Sequence, residues 1–310
     1  MEPRIYMSTD EGAPVLSATA GSLIGVLDAC LVTGYGDLPG AGWEKFAIGA
    51  DNAAYRAPDG LRHYLHVLDT IATYATVNGY KSLVDTDFGS AFSSSPAYWG
   101  KCASGVTAGR QWVVAVDDKR VLIFVVPSAA INVGFRAVGG FGELAAHHPD
   151  DMNASYLLAG SASAAVLATD DAALVYESGL IIGSGQQVAY MPGLFGSTSA
   201  PGKYNASLNG AVATASPQTT DAPDMLNDYV WSSRLLMRNY LSSAQIPSSL
   251  DFTNIHYALP RGYIPGLLVP MMEMLPSVFP FWTSLGDGQY VIPYGPRRCY
   301  ILDTADWEYQ

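Results

Sequence analysis

Two apolar runs joined by four charged residues constrain this fold more than any other stretch. Gln111-Trp112-Val113-Val114-Ala115-Val116 and Val121-Leu122-Ile123-Phe124-Val125-Val126 flank the turn Asp117-Asp118-Lys119-Arg120. Both arms are rich in valine and aromatic residues, as strands covered on both faces are. The charged link between them reads as the turn of a hairpin.

The residues before this pair read as further short elements. Arg4 to Ser8 alternates like a first strand, and Ala13 to Trp43 holds one helix between two clusters of turn residues. Within it Leu23, Val26, Leu27, Cys30 and Leu31 recur at three- and four-residue steps and define one buried helical face. Gly34, Gly36, Pro39, Gly40 and Gly42 then stop the helix. Trp43 to Ile48 and Ala53 to Arg56 suit the arms of a hairpin, and Leu61 to Leu68 alternates as a third strand. Asp69-Thr70 has the composition of a helix start and predicts a helix over Ile71 to Asn78, ended by Gly79.

After Val126 the pattern weakens. A glycine-rich stretch and the cluster His147-His148-Pro149-Asp150-Asp151 are followed by Asn153 to Leu158, which suits either a short strand or a helical turn. Strand-like pieces occur at Ala173 to Tyr176 and Gln187 to Met191, and Ala200 to Pro223 reads as a long loop. Leu226 to Leu241 has helical spacing in Tyr229, Val230, Leu236 and Met237, although Trp231 and Tyr240 also suit a strand. Prolines 260, 265, 270, 276, 280, 293 and 296 predict an irregular, loop-rich C-terminal section, because proline breaks helices and is excluded from central strands. The expected class is α+β, predominantly antiparallel β with a few short helices and long loops. At 310 residues, an N-terminal α+β lobe over 1–160 and a C-terminal loop-rich β lobe over 161–310, closely packed on the first, is the expected division.

Charge narrows the function classes. Only 14% of residues are charged while 49% are hydrophobic, against about 25% charged in ordinary globular domains. Either apolar surface is buried against partner subunits, or neutral polar groups coat a monomer. The net charge of −12 and the absence of a Lys/Arg cluster argue against nucleic-acid binding. The three cysteines, Cys30, Cys102 and Cys299, are widely spaced and suggest reduced, buried thiols. No stretch resembles a signal peptide or a membrane span, so a soluble protein made in the cytoplasm, with no membrane partner, is expected.

The candidate chemistry is sparse. His147, His148, Asp150 and Asp151 have metal-ligand residue types, but adjacent residues diverge on a strand and Pro149 bends the chain, so the cluster reads as a polar turn. His63 and His66 fall on opposite faces of a strand. The acidic pairs Asp85/Asp87, Asp117/Asp118 and Asp170/Asp171 sit in expected turns, where carboxylates are solvated. No nucleophile elbow, P-loop or zinc-protease motif occurs, and Gly34-Tyr35-Gly36 and Gly183-Ser184-Gly185 complete no phosphate loop. No catalytic residue, cofactor or metal site is therefore expected. With 19 Tyr and 6 Trp, an aromatic surface for sugars or for subunits remains open, and Trp99, Trp282 and Tyr290 are its candidate contacts.

The order of short motifs adds a resemblance. Arg4-Ile5-Tyr6, Ser8-Thr9-Asp10, Ala13-Pro14-Val15-Leu16, Ala20-Gly21-Ser22-Leu23 and Leu27-Asp28-Ala29-Cys30-Leu31-Val32 come first. Gly34-Tyr35-Gly36, Gly42-Trp43, Ala54-Tyr55-Arg56, Tyr64-Leu65 before Asp69-Thr70, and Gly79-Tyr80 follow. Later pieces are Arg110-Gln111-Trp112-Val113-Val114, Phe141-Gly142-Glu143 and Arg261-Gly262-Tyr263-Ile264-Pro265-Gly266-Leu267. Together they resemble structural proteins of tailed-bacteriophage virions, densely over about the first 160 residues and in scattered pieces beyond. The resemblance implies a non-enzymatic tail, baseplate or head–tail connector subunit. It also implies a homo-oligomer among other virion proteins, assembled in the host bacterial cytoplasm. Capsid decoration, or a tail module that binds a host-surface glycan, are the alternatives. The resemblance supplies no catalytic residue.

Overall fold

The hairpin of apolar runs lies at the middle of the molecule. The computed structural model describes residues 3–47, 49–85, 88–92, 97–102, 108–126, 137–159, 188–190, 205–206, 224–226, 230–240, 258–270, 282–295 and 298–308. In chain order its elements begin with strand β1 (Arg4–Met7) and helix α1 (Ser22–Leu27), which runs on into a π-helical turn (Asp28–Thr33). Next come β2 (Glu44–Ala47), β3 (Asn52–Arg56), β4 (Tyr64–Leu68), β5 (Tyr74–Asp85), β6 (Phe88–Ala91) and β7 (Ala97–Gly100). The hairpin is β8 (Gln111–Val116) and β9 (Arg120–Val126), followed by β10 (Ala137–Glu143), β11 (Ala145–Ala146) and β12 (Ser155–Ala159). The later strands are β13 (Val188–Tyr190), β14 (Asn205–Ala206), β15 (Asp224–Leu226), β16 (Val230–Tyr240) and β17 (Ala258–Pro270). β18 (Thr283–Gly286), β19 (Gln289–Gly295), β20 (Arg298–Asp303) and a short 3₁₀ turn (Asp306–Glu308) are the last of the described elements.

These strands make three antiparallel sheets. The central sheet runs β1-β8-β9-β10-β12-β13-β14, so it continues across residue 160. A second sheet runs β2-β3-β4-β5-β6, with β7 also on β5, and a third runs β15-β16-β17-β20-β19-β18, with β11 on β17. The fold is therefore α+β with antiparallel sheet predominating. Among the described residues no helix is long and apolar enough to cross a membrane.

Period-two alternation explains the layering. From β8 and β9, Trp112, Val114, Val116, Val121, Ile123 and Val125 enter one core, shared with α1 and the inner face of the β2–β7 sheet. The residues between them, Ala115, Leu122 and Phe124, enter a second core with Ile264, Leu267, Ile292, Leu302 and Trp307. The central hairpin is thus covered on both faces, as its composition predicts.

α1 and the π turn bury Leu23, Val26, Leu27, Cys30 and Leu31, the face read from the spacing. The turn ends where the Gly34 N–H donates to the Ala29 carbonyl at 2.8 Å. Gly34 has φ +80, and a Cβ there would meet the Leu38 carbonyl at 2.3 Å, so the chain doubles back only because that residue has no side chain.

Two expectations are corrected, and two open alternatives resolve. Residues 71–78 are not a helix: β5 starts at Tyr74 and pairs with β4, β6 and β7. Asp69 does cap a helix, but it caps α1, far away in sequence. Residues 230–240 take the strand alternative, as does 155–159. The proline-marked section is also not loop-rich among its described residues, because β17 and β19 run through Pro260, Pro265, Pro270 and Pro293.

The sheet accommodates these prolines by leaving them unpaired on one edge. β16 pairs along one edge of β17, while on the other edge β11 takes Gly262 and Tyr263 and β20 takes Leu267 and Leu268. Pro260, Pro265 and Pro270 fall outside those short pairings. Pro293 lies beyond the last residue of β19 that pairs with β18. The expected strand at Ala173 to Tyr176 and nearly all of the expected 200–223 loop lie outside the described residues.

Candidate functional site

Buried polar groups gather at three joints between layers. The first is the start of α1. Gly21 precedes it in the left-handed region with no side chain to cap the helix, so the open N–H groups are met from elsewhere. Asp69 Oδ2 accepts from Leu23 N at 2.7 Å and Ile24 N at 3.3 Å, and the Asp69 carbonyl accepts from Gly21 N at 2.8 Å. Asp69 Oδ1 meets Lys101 Nζ, and Nζ also donates to the Thr19 carbonyl at 3.1 Å. Both side chains have zero exposure. Burial pushes the Asp69 carboxyl up, against the ammonium and the two amide donors, which hold it down.

The second joint is the turn of the central hairpin. Its Asp117 is 4% exposed, so the expectation of a solvated carboxylate is corrected. Oδ1 accepts from Lys119 N at 2.8 Å and Arg120 N at 2.7 Å, closing the turn. Oδ2 accepts the Trp307 indole N–H at 2.6 Å from one core, and the Asp117 carbonyl accepts the Trp43 indole N–H at 2.8 Å from the other. One turn residue therefore holds a tryptophan from each outer layer. Arg120 Nε lies 3.2 Å from Asp117 Oδ2, and its guanidinium sits 6.0 Å from the Trp307 ring. Gly266, at φ +73, makes Trp307's seat: a Cβ there would meet the indole at 2.6 Å. The Gly266 N–H in turn donates to Asp306 Oδ2 at 3.2 Å. The Tyr156 hydroxyl and the Arg120 Nη1 are buried without a hydrogen-bond partner among the described residues.

The third joint is His63 and Ser155, sharing a hydrogen bond of 2.8 Å between Nδ1 and Oγ. A hydroxyl beside an imidazole has the makings of a nucleophile and base. Here Ser155 is 1% exposed and His63 9%, and burial holds the imidazole down to about 4, so it is neutral at neutral pH. His66 bonds instead to Asn52 Oδ1 at 2.7 Å, so the two histidines serve different neighbours.

His148 Nδ1 accepts from Asp150 N at 3.2 Å and Asp151 Oδ1 from Asn153 N at 3.0 Å, which is turn geometry. Among the described residues no group of three or more possible metal ligands converges. Cys30 and Cys102 are both buried. Asp87, Asp170, Asp171 and Gly183-Ser184-Gly185 lie outside the described residues.

Of the aromatic candidates, Trp99 is 2% exposed and donates its indole N–H to the Leu158 carbonyl at 2.8 Å, so it is core. Trp282 and Tyr290 come together at the partly exposed edge of the second core, stacked with centroids 4.5 Å apart at 23°. Trp282 adopts φ +77, rare for a bulky residue. A second surface cluster escaped the sequence reading. Phe46, 39% exposed, and Tyr64 pack edge to face, with Arg56 over both rings and Glu44 bound to Arg56 and Arg62. The cross-strand pairing of Glu44 with Arg56 and Arg56 with Tyr64 carries that signal.

A comparison with protein-family models finds no match, and a comparison with curated proteins finds none.

Proposed function

We propose that this chain is a non-enzymatic structural subunit of a tailed-bacteriophage particle. It would sit in the tail or at the head–tail joint, in a symmetric assembly with copies of itself and other virion proteins, built in the host cytoplasm. The observation that carries the reading is where the buried polar side chains go. Asp69, Lys101, Asp117, Arg120, Asp306 and His63 all bind groups of the fold itself. They hold α1, the central turn and the C-terminal turn in place. A perturbed side chain in a catalytic site faces a cleft, whereas these face other layers. The low charge content and the motif resemblance point the same way.

Mass spectrometry of purified particles tests the proposal. Detection at roughly six or twelve copies per particle, the multiplicity of a closed ring, is the expected result. Absence from mature particles overturns it, and hundreds of copies would replace the tail placement with capsid decoration. The stacked Trp282–Tyr290 pair favours a second reading, contact with a host-surface glycan. Glycan-array binding that is lost in Trp282→Ala supports that reading, and an array without binding removes it.

A further inference from the structure

The sealed pair at the start of α1 is arranged for more than an ion pair. Lys101 Nζ touches Asp69 Oδ1, both side chains have zero exposure, and the Thr19 carbonyl fixes Nζ from behind. The other carboxylate oxygen, Oδ2, already faces two backbone N–H groups, those of Leu23 and Ile24. Two amide donors meet one oxygen of the carboxyl and an amine meets the other, so donors for a developing oxyanion and an amine nucleophile flank one sealed carboxyl.

We propose that Lys101 and Asp69 condense after folding into an intramolecular amide, joining the chain on either side of the β5–β7 segment. A proton passes from Nζ to Oδ1 across their contact, leaving a neutral amine and a neutral carboxyl. The Nζ lone pair attacks Cγ, and the negative charge of the tetrahedral adduct gathers on Oδ2 under the Leu23 and Ile24 amides. The Cγ–Oδ1 bond then breaks, and Oδ1 leaves as water with a second proton from Nζ. One N–C bond forms, one C–O bond breaks, and no oxidant or cofactor enters.

Burial favours this direction twice. It raises the Asp69 carboxyl, easing the first proton transfer. It also makes two opposite charges costly to keep, a cost that a neutral amide removes. The product leaves no polar atom stranded: Oδ2 becomes the amide oxygen beneath the same two N–H groups, and the remaining N–H on Nζ faces Thr19. The inference stands apart from the virion reading, since it uses only Asp69, Lys101 and the backbone around them.

The test is the mass of the folded wild-type chain after prolonged incubation in native buffer, measured under denaturing conditions. The expected mass is one water below that of the sequence, with trypsin failing to cleave after Lys101 and a linked peptide containing both residues. Lys101→Arg, which keeps the charge but not the amine, is expected at its full sequence mass. A wild-type chain at full mass, cleaved normally after Lys101, overturns the proposal whether or not the variant folds.

Discussion

Trp307→Ala tests the joint at the central turn. Trp307 is 1% exposed, fills the seat opened by Gly266, and donates to a carboxylate that is itself buried. Truncating a buried tryptophan costs about 3–5 kcal/mol through lost transfer and the cavity left behind. Asp117 keeps Lys119 N and Arg120 N but loses its indole donor, a further cost of about 1 kcal/mol. The expected loss is about 4–6 kcal/mol, a large share of the roughly 5–15 kcal/mol by which domains are stable. Trp307→Phe keeps most of the ring and removes the donor, so it should lose only about 1–2 kcal/mol. Urea unfolding followed by far-UV circular dichroism measures both. With a slope near 3 kcal/mol/M, the alanine variant's midpoint falls by about 1.3–2 M and the phenylalanine variant's by about 0.5 M. An alanine variant that unfolds with the wild type, or no earlier than the phenylalanine variant, refutes the claim that Trp307 pins the C-terminal turn to the central sheet.

His63 gives a pH prediction. Its folded value of about 4 lies below its ordinary 6.5, so as pH falls the unfolded chain takes up a proton first. Stability tied to this group is present above pH 6.5 and lost as pH falls toward 4, by about 3 kcal/mol over the window. His63→Asn, which has no such titration, should close its stability gap to the wild type across that range, and a gap independent of pH in urea titrations contradicts the assignment. Gly139→Ala tests Trp99 as a core residue: a Cβ there would meet the indole at 2.6 Å. The expected loss is about 1–3 kcal/mol, seen as a lowered melting temperature, and unchanged melting would mean that the indole is free to move.

The parts of the fold legible in sequence were those with a local cause. Val113 to Val116 and Val121 to Val125 announce a doubly covered hairpin because every position is apolar, and the face of α1 follows from its spacing. Asp69 shows where local reasoning stops. Its type signals a helix cap, but the helix it caps lies more than forty residues earlier, and only tertiary structure joins the two. The prolines of β17 misled for a related reason: proline excludes pairing on one edge, and sequence does not reveal which edge a neighbour leaves bare. Asp287-Gly288, flanked by alternating residues, carries a hairpin signal that the emphasis on prolines passed over, and both residues adopt the positive φ that such a turn requires. At the joints, Trp307 and Trp43 are ordinary tryptophans in sequence. Their convergence on Asp117 follows from the layering of three sheets rather than from any motif.

Hydrogen exchange of the backbone amides tests that layering most directly. β8 and β9 are paired on both edges, by β1 and β10 as well as each other, and covered on both faces, so their amides open only with the whole fold. Peptides spanning Gln111–Val126 are expected to exchange last, after those of the β18–β19 hairpin. Exchange of Gln111–Val126 as fast as that of Thr283–Gly295 would contradict a molecule built around a doubly covered central hairpin.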